Sequence, residues 1–140
     1  MSPIREARPE DRTRLRAIQT AALDHPWPDL LTVAVDGPPE LLVYDDGRPV
    51  GYALVVPDHP VAYLAELAVD PPVQGQGIGT LLLSTLVERL GDRGFETVRL
   101  TARADDERVR SFYEQFGFAL ESHLPDHYDD GDGVLLCRQL

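Results

Sequence analysis

Gln74-Gly75-Gln76-Gly77-Ile78-Gly79-Thr80 is the segment best suited to do chemistry. It follows an apolar run, Val61 to Val69, closed by Asp70-Pro71-Pro72, and precedes the helix-like Leu81-Leu82-Leu83-Ser84-Thr85-Leu86-Val87. A strand, a tight turn and a glycine-rich helix start make an anion site, because unpaired N–H groups and the positive end of the helix dipole converge there. Glycine lets a phosphate approach the backbone, since no Cβ stands in the way. The spacing excludes two familiar ligand loops. A dinucleotide fingerprint needs G-x-G-x-x-G, and position 80 is Thr; a P-loop needs a lysine, and all 13 basic residues are Arg. The absence of lysine also removes Schiff-base chemistry. What remains is Q-x-x-G-x-G, with Gln74, Gly77 and Gly79 in its fixed positions. The plain alternative is a solvated loop that only starts a helix.

A second run, Asp106-Glu107-Arg108-Val109-Arg110-Ser111-Phe112-Tyr113-Glu114-Gln115-Phe116-Gly117-Phe118, reads as a helix. Val109, Phe112, Tyr113 and Phe116 share one face, Asp105 or Asp106 caps the start, and Gly117 is a left-handed stop. The glycine loop followed by this Tyr-Glu-x-x-Gly-Phe helix, with one strand between, resembles the GNAT N-acetyltransferase superfamily over essentially the whole chain. The second half is similar to the RimI-type ribosomal-protein alanine N-acetyltransferases.

That resemblance implies an α/β (α+β) fold: a mixed, largely antiparallel sheet with helices on both faces, splayed into a V between its fourth and fifth strands. It implies acetyl-CoA as co-substrate, its pyrophosphate on the residues from Gln74 to Thr80 and its pantetheine along the backbone of Leu67, Ala68 and Val69. It implies Tyr113 as the general acid that protonates the leaving thiolate. By its residues alone, Tyr113 also fits a core tyrosine. Glu66, the only carboxylate in the central strand, is the candidate base; the competing role is a structural carboxylate pairing with Arg99 or Arg103. Two positions depart from the family. RimI-type enzymes place a Glu on the next strand where this chain has Thr101, which cannot serve as a base. Asp106 stands where the family has an Asn on the CoA arm, and helix capping accounts for it equally well. Arg103, Arg108 and Arg110 could meet a phosphate or be ordinary surface arginines.

Family substrate pockets draw on the first loop and the strands after the last helix. Here these supply Asp24, His25, Trp27, Asp126, His127, Tyr128 and Asp129, with Trp27 and Tyr128 the named candidates. An acidic, aromatic rim suits a cationic amine. His123 and His127 flank Pro125 with no further ligand type, so a metal is not expected.

The elements that must position these residues alternate without repeats. A short strand covers Ser2 to Ala7. A helix starts at Pro9 and runs to about Leu23, with Leu15, Ile18 and Ala22 on one stripe. Asp29 caps a short helix to about Val35. Glu40 to Tyr44 and Pro49 to Val56 form a hairpin about Asp45-Asp46-Gly47-Arg48. The central strand Val61 to Val69 follows, then a helix from Gly77 to Leu90 stopped by Gly91 and Gly94. Thr97 to Ala102, a helix from Glu107, and strands Phe118 to Ser122 and Val134 to Gln139 complete the order.

With 140 residues, one domain is expected. No run has the length of a membrane span, and no signal pattern opens the chain. The single Cys137 fits a reducing, cytoplasmic setting, and it reads as a strand residue rather than a nucleophile. A net charge of −11 argues against nucleic acid as partner. Abundant Asp and no Lys fit a high-salt cytoplasm, where screening over about 3 Å at 1 M tolerates such a charge; a GC-rich genome also turns Lys into Arg. Three readings stay open: an N-acetyltransferase of protein or peptide N-termini, an acetyltransferase of small amines, and a CoA-binding module without catalysis. A monomer and a homodimer are equally compatible.

Overall fold

A computed structural model describes residues 2–36 and 40–140. In chain order the elements are β1 (Ile4–Glu6), a 3-10 turn (Pro9–Asp11), α1 (Arg12–Ala22), α2 (Pro28–Ala34), β2 (Glu40–Asp45), β3 (Pro49–Asp58) and β4 (Val61–Val69). A second 3-10 turn (Pro71–Val73), α3 (Ile78–Asp92), β5 (Thr97–Arg103), α4 (Glu107–Gln115), β6 (Ala119–Tyr128) and β7 (Gly131–Gln139) follow. The strands form one sheet in the order β1-β2-β3-β4-β5-β7-β6. Every pairing is antiparallel except β4–β5, whose parallel alignment requires the crossover through α3.

Two apolar cores flank the sheet. On one face Leu82, Leu83, Leu86 and Leu90 of α3 pack on Val55, Ala62, Leu64, Val98 and Leu100. On the other, Leu15 and Ile18 of α1 and Leu31 of α2 pack on Val43, Tyr52 and Leu54. β2 and β3 are buried on both faces, so they read as continuous apolar runs rather than as alternation.

Several boundaries differ from the sequence expectation, three of them near the cleft or its supporting helices. α2 begins at Pro28, with Trp27 as its N-cap residue; Asp29 lies inside the first turn. α3 runs through Gly91 and stops at Gly94, whose φ is 81°. There Phe95 N–H donates to Leu90 O at 3.0 Å and Gly94 N–H to Gly91 O at 3.0 Å, a Schellman closure. The acidic stretch after Ser122 is not an open loop. β6 and β7 continue as a hairpin to Tyr128 and Gly131, with register shifts that absorb Pro125.

Candidate active site

β4 and β5 pair only at Val61–Thr97, Ala62–Val98 and Tyr63–Arg99. Beyond that point β3 holds β4 as far as Val69, and β7 holds β5 as far as Arg103. The two strands are therefore drawn apart by their outer partners, and Leu67, Ala68 and Val69 lie on one arm of the fork. At its base the Tyr63 hydroxyl lies 2.9 Å from Thr101 Oγ1, a bridge between the arms. A cleft of about 840 Å³ occupies the fork and reaches both faces of the sheet.

One face of the cleft belongs to α3 and α4. Gln74, Gly79, Phe112 and Tyr113 line it together with Val69. Gly75 and Gly77 have φ of 82° and 86°, and a Cβ at either would meet nothing within 4 Å, so their outer side is open. Among the described residues no side chain caps α3, which leaves its first-turn N–H groups facing that opening. The Gln74 amide turns back and donates to Val69 O at 2.9 Å, tying the loop to the end of β4. Ile78 buries its side chain in the core, so only its backbone can serve the loop; Gly75, Gln76 and Thr80 are exposed. Asp106 lines the cleft and also caps α4, accepting from Val109 N–H at 3.1 Å.

The closing motif of α4 explains why Tyr113 sits where it does. Gly117, at φ 87°, lets Phe118 N–H reach Tyr113 O at 3.1 Å and Gly117 N–H reach Glu114 O at 3.0 Å. This Schellman closure packs the residue after the glycine against the one five positions earlier. Tyr113 and Phe118 rings accordingly meet edge to face at 5.5 Å, and Phe112 meets Tyr113 at 5.1 Å. Burial holds the Tyr113 phenol above its ordinary pKa.

The other face belongs to α1, α2 and the β6–β7 hairpin. A bulge delivers Glu66 to it. Leu54 pairs with Glu66 and Val55 with Leu64, so Ala65 is an extra residue and Ala65 and Glu66 both face the α1 side. Strict alternation from Leu64 would have turned Glu66 toward α3. Glu66 is 6 % exposed. Its Oε1 accepts from Tyr52 Oη at 2.9 Å and from Gln19 Nε2 at 2.9 Å; Oε2 accepts from Trp27 N–H at 2.7 Å. Burial, then the Glu66 charge and hydrogen bond, push the Tyr52 phenol upward. The proposed ion pair of Glu66 with Arg99 or Arg103 does not form. Arg99 pairs with Glu121, and Arg103 with Asp130 and Asp105, because both arginines extend toward the β6–β7 side.

Trp27 is 55 % exposed and Tyr128 half-buried; both line the cleft at its α1 mouth. Tyr128 stacks on His25 at 5.1 Å between ring centroids.

The matching family model, Acetyltransferase (GNAT) family, covers residues 3–118. The chain belongs to the GNAT acetyltransferase family. An uncharacterized N-acetyltransferase of Methanocaldococcus jannaschii is 35% identical over 92 residues, 65% of this chain and 59% of that protein. The [Ribosomal protein bS18]-alanine N-acetyltransferase of Escherichia coli K12 is 33% identical over 88 residues, 63% of this chain and 60% of that protein. This GNAT chain thus spans about 60% of the length of these two relatives. The crystal structure of the ribosomal-protein-S18-alanine N-acetyltransferase from Escherichia coli superposes with a TM-score of 0.86 at 26% identity, covering 97% of this chain and 92% of that one. The seven-stranded, mostly antiparallel sheet with its flanking helices is the GNAT fold. No helix of the described residues is long and apolar enough to cross a membrane.

Sequence reading missed Gln19, Tyr52 and Tyr63. Gln19 carried a signal, since it sits on the buried stripe of Leu15, Ile18 and Ala22 and a polar residue there needs a buried partner. Tyr52 and Tyr63 carried none, because aromatic residues are ordinary in strands.

Proposed function

We propose that this chain is a single catalytic domain that moves the acetyl group of acetyl-CoA to a primary amine at a protein or peptide N-terminus. The observation that carries the reading is the fork itself: one cleft reaches both faces of the sheet, with Tyr113 on the α4 side and Glu66 on the α1 side. A two-sided cleft brings a thioester and an amine together from opposite directions. The α1 side and the hairpin fit an acceptor of peptide kind, as does the likeness to an enzyme named for acetylating the alanine of a ribosomal protein.

The residues present fit acetyl-CoA. The open side of Gly75 and Gly77 and the uncapped start of α3 suit its pyrophosphate. The unpaired edge of β4 at Leu67, Ala68 and Val69 suits its pantetheine amides. Acetyl-CoA supplies an activated acetyl group. Backbone donors on a strand fixed by β3 are preorganised for the charge that develops on the acyl oxygen. Tyr113, kept protonated by burial, donates its phenolic proton to the leaving thiolate. Glu66 takes the amine proton on the acceptor side. Of its partners, Tyr52 has a hydroxyl that can reverse from donor to acceptor, so a protonated Glu66 keeps a hydrogen bond. The cytosol, with Cys137 as a free thiol, is the proposed setting.

Titration calorimetry of the purified protein with acetyl-CoA and with CoA, at low and at molar salt, tests the co-substrate. Thiol release with a panel of N-terminal peptides and small amines then tests the acceptor. Micromolar binding with peptide-dependent release is expected. Binding without release from any amine would leave a CoA-binding module, and no binding at either salt would remove the reading. Release with small amines alone would move the acceptor to that class.

A further inference from the structure

Arg103 ends β5 at the acceptor mouth, and its surroundings go beyond an ordinary surface arginine. Its Nη1 donates to Asp130 Oδ1 at 2.7 Å, and its Cζ lies over the Tyr128 ring at 5.2 Å. The same Nη1 is 3.5 Å from His25 Nε2, across the cleft on the α1–α2 connection. Tyr128 stacks on His25 in turn, so guanidinium, phenol and imidazole form one contact set joining three segments. Gly131 completes it, for a Cβ there would stand 2.8 Å from Arg103 Nη2. That atom is the free end of a flexible side chain, so a methyl group at 131 would push the guanidinium off its seat and leave the backbone of the turn in place.

We propose that Arg103 is the latch of the acceptor mouth: it holds the β6–β7 turn against the α1–α2 connection and so sets the width through which an amine-bearing peptide enters. It is a positioning residue and touches neither the thioester nor the transferred proton. The planar fork is needed because one face stacks on Tyr128 while an edge serves Asp130 and His25. Lysine would keep the charge and lose that combination. The kinetic part rests on the acetyltransferase reading; the structural part does not.

The chain has a single tryptophan, Trp27, in the connection that the latch holds. Acrylamide quenching of its fluorescence in the ligand-free protein therefore reports the latch directly. Arg103→Ala is expected to raise the quenching constant and Arg103→Lys to restore it only in part. Gly131→Ala, which keeps every charge, is expected to act in the same direction as Arg103→Ala. With acetyl-CoA and a peptide acceptor, the acceptor KM of Arg103→Ala should rise roughly three- to tenfold, the size of a lost cation–π contact and part-exposed ion pair. The kcat and the acetyl-CoA Kd should hold, a split that general destabilisation does not give.

Unchanged quenching in both Arg103→Ala and Gly131→Ala would overturn the latch whether or not the protein turns over. Altered quenching with an unchanged acceptor KM would overturn its role in entry. Absence of turnover in the parent protein would strike the acetyltransferase reading and leave the quenching result to judge the latch.

Discussion

Glu66 is buried among hydrogen-bond donors, whereas Tyr113 is half-buried among aromatic rings, and the two surroundings act on protons in different ways. Tyr113 is enclosed by the Phe112 and Phe118 rings, and burial raises its pKa. Raising the pKa of a phenol favours the protonated form, so Tyr113 keeps its proton through neutral pH and beyond the usual value of about 10. The basic limb of kcat should therefore begin above about pH 10. Tyr113→Phe should lower kcat by about 10²- to 10⁴-fold, the range for a lost general acid, with acetyl-CoA Kd nearly unchanged. Stopped-flow turnover and calorimetry on the same preparation check both halves; weaker binding with normal turnover would make Tyr113 a core residue only. Glu66 instead accepts from Tyr52, Gln19 and a backbone N–H, which join β3, α1 and the start of α2 to β4. Glu66→Gln should thus do two things. It should abolish or move the acidic limb of the pH–rate profile, because the amide cannot take the amine proton. It should also lower stability by about 1–3 kcal/mol, since charge-assisted bonds become neutral ones. Lower stability with an unmoved limb would leave Glu66 as an anchor and assign the limb to the amine's own ionisation.

At the level of elements, the loop before α3 depends on backbone more than on side chains. Gly77 holds φ 86° with open space where a Cβ would project. Gly77→Ala should cost about 1–2 kcal/mol from the left-handed strain and place a methyl group where a phosphate would approach. Acetyl-CoA Kd should rise well beyond what the melting shift explains, with kcat at saturation retained; a melting shift with normal Kd would mean that the loop holds no phosphate. This loop was legible from sequence because glycine spacing encodes a backbone shape. So was α4, where Tyr113, Gly117 and Phe118 are the residues a Schellman closure needs. The side to which Glu66 points is not contained in the letters, since alternation gives opposite answers from the two ends of β4. An alternation anchored on Leu67 and Val69 happens to agree, while the bulge at Ala65 breaks it below. The β6–β7 extension was missed because Pro125 and a run of Asp and His match loop chemistry, and only the flanking pairs Leu124–Gly133 and Tyr128–Gly131 carry the hairpin past them. Long-range contacts such as Arg103 with Asp130 have no local signature at all, being set by the register of β5 on β7.

Charge acts on the whole molecule. Asp and Glu total 24 against 13 Arg, so the surface carries −11 even after its ion pairs form. Several of those pairs are exposed, among them Arg12–Asp36 and Arg103–Asp130, and exposed pairs contribute about 1 kcal/mol or less. Arg5 is better placed: it reaches both Asp11 and Asp45, and its hydrogen bond holds the Asp11 carboxyl below the usual carboxylate range. Added salt weakens attraction and repulsion alike, so the balance decides the sign. Excess acid acts over many long distances, which fall beyond the screening length first as it drops from about 10 Å at 0.1 M to 3 Å at 1 M. Contact pairs at 2.7–2.9 Å lie within that length and are screened least. Relief of repulsion should therefore win, and the melting temperature should rise by about 3–8 °C between 0.05 and 1 M NaCl, equivalent to roughly 1–2 kcal/mol for a domain of this size. Repeating the melts with Arg5→Gln separates the two contributions: its deficit should persist at 1 M if the Asp11–Arg5–Asp45 cluster is a contact network. A melting temperature that falls with salt would mean that the arginine pairs, not the excess acid, govern the stability of the fold.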